Sequence, residues 1–173
     1  MQQHLRDRWF NLSLYSGTVV TSDQVTFPLW NLSGKLVGYQ TYTPSYPKGK
    51  VADLSLGRYF PRITHGELAV WGLETTSPSD QCLFLCEGVF DACRLHWHGL
   101  PAVAVLGNDP AHLVSWLSAL PQTLISVVQG DKAGLALAKF GDCVIYLPEG
   151  EDVGSLSESD FLLHFGEYLM KTS

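Results

Sequence analysis

Short apolar runs bounded by turn residues dominate this chain, and the way they are spaced changes partway along it. In the first part, Gln24 to Leu29 and Leu36 to Tyr42 are strand-like runs separated by Asn31-Leu32-Ser33-Gly34, residues that tolerate unusual backbone angles. A β-hairpin is predicted there, followed by a loop from Thr43 to Lys50. Further on, Cys82 to Cys86 reads as a buried strand that empties into Glu87-Gly88, and Asp91 to His98 reads as a helix. A second apolar strand, Ala102 to Leu106, a helical stretch from about Pro110 to Leu120, and a third strand, Leu124 to Val128, complete an alternation of strand and helix. That order predicts an α/β fold with a mostly parallel sheet flanked by helices, preceded by a small hairpin-rich lobe. The boundaries expected are a β-rich lobe over residues 1–78 and an α/β domain over 79–173. Phe161, Leu162, Leu163, Phe165, Tyr168 and Leu169 fit a terminal helix that packs on the sheet or docks a partner.

In an open parallel sheet, ligands bind beyond the carboxyl ends of the strands, so the loops there carry the candidate chemistry. Glu87 follows the first strand of this region, Asp91 lies one helical turn beyond it, and Asp131 follows the third strand. Carboxylates gathered at one sheet edge are the oxygen ligands that a magnesium ion takes, with waters or phosphates filling its remaining positions. Taken singly, each acid has a plainer role: Asp91 suits a first helical turn and Asp131 a helix cap.

With 173 residues, 46% of them hydrophobic and 16% charged, the chain can bury a real core, either as one domain or as a small lobe attached to a larger one. No apolar run approaches the length of a membrane span, and the amino end lacks the basic-then-apolar order of a secretory signal, so a cytoplasmic location is expected. The four cysteines form no CxxC pair and are expected to be buried thiols rather than a zinc site. A net charge of −6 argues against a generic nucleic-acid coat, because non-specific affinity comes from Lys and Arg neutralising phosphates. It still allows a local basic groove. Lys35, Lys48, Lys50, Arg58 and Arg62 fall in the first half while acids crowd the second, which suits a template path on one lobe and metal on the other.

Glu87-Gly88, Asp91, Leu106-Gly107 and Asp131-Lys132-Ala133-Gly134 together resemble the TOPRIM domain, the metal-binding module of bacterial-type primases, topoisomerases and some nucleases. One position departs from the pattern: Gln129 stands where the first Asp of D-x-D is expected, and its neutral amide brings no charge to a metal site. A second resemblance is narrower. Phe27-Pro28-Leu29-Trp30-Asn31 with Gly34-Lys35-Leu36-Val37-Gly38-Tyr39, then Arg58-Tyr59, Val70-Trp71-Gly72-Leu73 and Leu147-Pro148-Glu149-Gly150-Glu151-Asp152, are similar in kind and order to the catalytic (RNA-polymerase) domain of DnaG-type primases. This likeness covers residues 24–160. Val153 replaces the family's proline, and basic residues are missing near Val25, Thr26, Thr64 and His65.

The resemblance implies a nucleotidyltransferase that makes short RNA primers on single-stranded DNA from NTPs, with Mg²⁺ or Mn²⁺ as cofactor. It implies metal ligation by Glu87, Asp91, Asp131 and Asp152, with Glu87, Asp91 and Asp131 catalytic, and phosphate binding by Lys132, Arg58 and Arg62. A replicative helicase or other replisome protein is an implied partner, and the form expected is a minimal core from a phage or mobile element. Two other readings stay open: a TOPRIM metal-dependent nuclease, and a catalytically degenerate binding or inhibitory module. Tyr39, Tyr42, Tyr59 and Phe60 are candidates for stacking on template bases, weighed against a role in the core.

Overall fold

The computed structural model describes residues 1–31, 33–49, 51–107, 110–130 and 134–170. In chain order its regular elements are helix α1 (Gln2–Arg6), strands β1 (Val19–Val20), β2 (Val25–Trp30), β3 (Leu36–Tyr42), β4 (Tyr59–Ile63) and β5 (Cys82–Cys86), helix α2 (Val89–Trp97), strand β6 (Ala102–Ala104), helix α3 (Val114–Leu117), strand β7 (Thr123–Val128), helix α4 (Gly134–Ala138), strand β8 (Cys143–Tyr146) and helix α5 (Glu158–Leu169). The first four strands form an antiparallel sheet in sequential order, and the last four a parallel sheet in the order β6-β5-β7-β8. This is the α/β architecture expected, with the hairpin of β2 and β3 where the turn residues put it.

Pro28 sits inside β2, where a missing N–H would normally break a ladder, but the two-residue β1 pairs only with Val25 and Thr26. Between that point and the Val70 bridge at Trp30, β2 has no partner strand on that side, which is where a strand tolerates proline. Gly38 has a different reason. β3 and β4 approach so closely there that a Cβ would strike the Arg62 carbonyl oxygen and lie 2.9 Å from the Ile63 Cα.

Apolar side chains of the parallel sheet point alternately to two faces, as the pleat requires. Phe84, Cys86, Ile125 and Val127 join a core shared with α2, α5 and the antiparallel sheet, whereas Leu83, Leu85, Leu124 and Val128 face Leu113, Trp116, Leu117 and Leu137 of the other side. Helices α2 and α4 therefore leave neighbouring strands β5 and β7 toward opposite faces. The gap between those strand ends is the topological switch point of the sheet.

Trp71 joins the two sheets. It is fully buried, exchanges two backbone hydrogen bonds with Ala104 at the β6 edge (3.0 and 2.9 Å), and its neighbour Val70 bridges to Trp30 of β2. Its indole lies among Phe10, Tyr15, Phe27 and His96. Gly72 turns the chain away at φ 91°, in the left-handed region, with the Ala102 carbonyl only 3.0 Å from where a Cβ would stand.

Two elements are shorter than their patterns predict. The strand expected to reach Leu106 ends at Ala104, because Leu106 takes φ 63° and swings the chain out of the sheet. The expected helix over 110–120 is one 3-10 turn, Ala111–Leu113, continued by the single turn of α3. Leu113, Trp116 and Leu117 keep the helical spacing and are buried, but Leu120 precedes Pro121, which disfavours helical angles there. At the carboxyl end, α5 is capped by Ser157, which accepts from the Asp160 N–H, and its Phe161 and Phe165 are sealed against the sheet. No helix among the described residues is long and apolar enough to cross a membrane.

Candidate metal and nucleotide cleft

The switch point between β5 and β7 gathers the acids. Glu87 follows β5 directly and is exposed; Asp91 occupies the first turn of α2; Gln129 follows β7; Asp152 arrives from the segment after β8. All four line one small void of about 10 Å³, the volume a single water-sized sphere needs. They also line an open cleft of about 230 Å³, together with Arg8, Gln40, Lys48 and Tyr59.

Local structure explains each position. Helix α2 begins at Gly88, which has no side chain to cap it, and Asp91 reaches back to accept the Gly88 N–H, half of a capping box. The plain helix-terminus role and the cleft position thus belong to the same carboxyl group. Asp91 also accepts the Gly154 N–H, which ties α2 to the loop carrying Asp152. Asp152 is shaped by a turn in which its Oδ1 accepts the Ser155 N–H at 2.8 Å and the Ser155 hydroxyl accepts the Asp152 N–H at 2.9 Å. Gly134 packs α4 onto the end of β7 so tightly that a Cβ would meet the Gln129 carbonyl.

Burial and then the negative charge of Asp152, with a smaller push from Glu87, raise the Asp91 carboxyl to about 7 despite its two backbone N–H donors. Burial also pushes the Tyr59 phenol up, to about 12, with Arg8 opposing the shift and Tyr42, Asp91 and Asp152 adding to it. Like charges held together at this cost make a site that a cation would relieve.

Among the described residues, no three Asp, Glu, His or Cys side chains are already drawn in around one point. The donor set nevertheless fits a hard divalent ion: carboxylate oxygens and an amide oxygen, with no sulfur or imidazole at the void. Asp131 and Lys132 lie outside the described residues, as do Lys50 and Leu32.

The basic residues divide. Arg58 is not part of the cleft lining, and its Nε donates to the Tyr46 carbonyl at 3.0 Å; Arg62 is exposed on β4 and is also absent from that lining. Two cations do line the cleft: Lys48, and Arg8, absent from the sequence-based candidates, whose guanidinium lies 4.2 Å from the centre of the Phe90 ring. One sequence signal marks the arginine. Arg8 stands between a short helix that buries Leu5 and the apolar pair Trp9-Phe10, so its backbone is anchored on both sides. Of the candidate stacking aromatics, Tyr42 is core, hydrogen-bonded to His4 at 2.7 Å, while Tyr59 is half-buried on the cleft wall.

A parallel sheet with an acidic switch point, packed through a shared aromatic core on a four-stranded antiparallel sheet, is the fold of the DnaG-type primase catalytic core. Solved structures bear this out. The chain superposes on the E. coli primase catalytic core with a TM-score of 0.62 at 21% identity, covering 98% of this chain and 59% of that one. A DnaG primase catalytic domain bound to ssDNA gives 0.62 at 21% identity, over 98% and 60%. The primase fragment of a bacteriophage primase-helicase protein gives 0.62 at 13% identity, over 86% and 63%. The chain spans about three fifths of the length of the bacterial cores it matches, 59% and 60%. No family model matches it, and no curated protein matches it by sequence.

Proposed function

We propose that this chain is a primase-like nucleotidyltransferase core that joins NTPs on a single-stranded DNA template. The observation that carries the reading is the cleft itself: three acids from two chain segments at the switch point, in a cleft that Arg8 and Lys48 also line. A divalent ion, Mg²⁺ or Mn²⁺, would supply charge neutralisation on the triphosphate and activation of the attacking hydroxyl. Glu87, Asp91 and Asp152 would hold it, joined by Asp131 as the family likeness implies.

The chain's own residues do the rest. Asp91 gives up its proton near neutral pH, and its two backbone N–H bonds fix where the resulting charge points. Arg8 and Lys48 line the same cleft as the acids and would take phosphate charge, Arg8 with its guanidinium over the Phe90 ring. Gln129 offers an amide at the end of β7 in place of a carboxylate, so it can orient a bound group while leaving the site one negative charge poorer. Tyr59 forms wall rather than reacting group, since its phenol keeps its proton throughout the neutral range.

The test is de novo primer synthesis on single-stranded DNA of mixed sequence, with labelled NTPs and Mg²⁺ or Mn²⁺. Short RNA products that fall to background in Glu87→Gln are expected. Cutting of the DNA that depends on Glu87, with no RNA product, would replace this reading with a nuclease.

A further inference from the structure

Arg94 lies one turn beyond Asp91 on the same face of α2, and its side chain is only 1% exposed. Its Nη1 donates to the carbonyls of Val153 (3.2 Å), Gly154 (3.5 Å) and Leu156, and its Nη2 to the Ser157 carbonyl (3.4 Å) and Glu158 Oε2 (3.3 Å). The guanidinium sits against two rings, 4.6 Å from the centre of Trp9 and 4.9 Å from that of Phe161.

A charge removed from water costs several kcal/mol before its partners repay it, and apolar side chains of similar volume often stabilise a core equally well. What an apolar residue could not do is hold a run of backbone that lies outside helix and sheet. Residues 153–156 form such a run, leading to the α5 cap Ser157, and Arg94 takes the carbonyls of Val153, Gly154 and Leu156 together with that of Ser157. The segment begins where Asp152 ends. Gly154 is held at both of its backbone polar groups: Asp91 accepts its N–H, while Arg94 and the Trp9 Nε1 (3.3 Å) donate to its carbonyl. Trp9 itself holds φ 63°, a backbone conformation that a bulky residue keeps only when its surroundings impose it.

We propose that Arg94 is a positioning residue: by clamping the backbone of 153–157 it fixes Asp152 opposite Asp91 and thereby sets the affinity of the cleft for a divalent cation. This rests on the reading of the cleft given above. Nothing in the resemblance to primases points to an arginine here; it follows from the contacts of this chain. A lysine cannot replace it, since one ammonium group cannot span carbonyls from Val153 to Ser157 together with Glu158.

The experiment compares the full chain with Arg94→Lys and Arg94→Met, using only variants whose circular dichroism matches the parent; methionine removes the buried charge while filling similar space. Two readings are taken: titration with Mn²⁺ alone, and amide hydrogen exchange at Gly154. The Mn²⁺ dissociation constant is expected to rise roughly 10- to 100-fold in Arg94→Met and less in Arg94→Lys, with faster Gly154 exchange in the same order. Unchanged Mn²⁺ affinity in a folded variant overturns the proposal, as does unchanged Gly154 exchange. If the parent itself binds no Mn²⁺, the cation reading of the cleft fails separately. Gly154 exchange then decides alone, faster exchange upholding the positioning of Asp152 and unchanged exchange overturning it.

Discussion

Helix α2 serves two regions of opposite character. Its last turn gives His96 to the aromatic junction around Trp71, and its first turn gives Asp91 to the acidic cleft. At the junction every polar demand of the imidazole is met. The Ala102 carbonyl can only accept, so Nε2 at 2.8 Å carries the hydrogen, shared with Thr75 Oγ1 at 2.9 Å, and Nδ1 accepts from the Tyr15 hydroxyl at 2.9 Å. His96 is held neutral, and burial drives it down to about 4. In the cleft the opposite holds, since Asp91 faces Asp152 and Glu87 and is driven up to about 7. The imidazole is surrounded by groups that match it, whereas the carboxyls of the cleft repel one another.

Truncation at the junction should therefore be costly. Trp71→Ala is expected to lose about 3–5 kcal/mol of stability by denaturant unfolding, because it opens a cavity between the two sheets. A loss under 1 kcal/mol would mean that the sheets are not joined there. In the cleft the sign reverses. Without divalent ions at pH 8, Asp91→Asn should gain roughly 1–3 kcal/mol, since the amide keeps an acceptor for the backbone N–H groups and removes the repelled charge. If that variant is instead less stable than the parent, the cap outweighs the repulsion and the contrast between the two regions fails.

The pH dependence separates the regions further. Between its ordinary value of 6.5 and about 4, His96 takes up a proton more readily unfolded than folded, so its contribution to stability is lost as pH falls through that window. Asp91 holds its proton more tightly when folded, so its contribution is lost as pH rises from 3.8 to about 7. The two slopes oppose each other in the parent. Asp91→Asn should remove the opposing slope and leave that of His96, joined with the same sign by His4 and His98, which burial also lowers, seen as an unfolding midpoint that climbs from pH 4 to 6.5. The smallest effect is expected at the surface pair of Lys35 and Glu67, 3.4 Å apart with the lysine side chain 69% exposed. Lys35→Ala should leave the melting temperature unchanged within error.

Much of the fold was legible because it is local. The apolar run Cys82–Cys86 is β5 to the residue, and Phe27-Pro28-Leu29 and Leu36 to Tyr42 pair as the turn between them requires. That Glu87 and Asp91 share a sheet edge followed from strand order, since residues just past parallel strands lie at one edge; Asp152 was reached only through the likeness to primases. Contacts set by distant segments were not legible. Arg94 is a charged residue in a short helix, and only the return of residues 153–158 to that helix explains its burial. Arg8 reaches the cleft because Trp9 is locked against Arg94 and Gly154, more than eighty residues away in sequence. Arg58 and Arg62, by contrast, carry the right charge on or beside β4, but of that stretch only Tyr59 lines the cleft.

The central claim is that the acids at the switch point are arranged for a divalent cation, and linkage between binding and folding measures it without requiring turnover. Thermal or denaturant unfolding with and without excess Mg²⁺ or Mn²⁺ should show the parent gaining about 2.7 kcal/mol at a hundredfold excess over its dissociation constant, and Asp91→Asn gaining little. No gain in the parent, at ion concentrations that would saturate a millimolar site, would contradict the account.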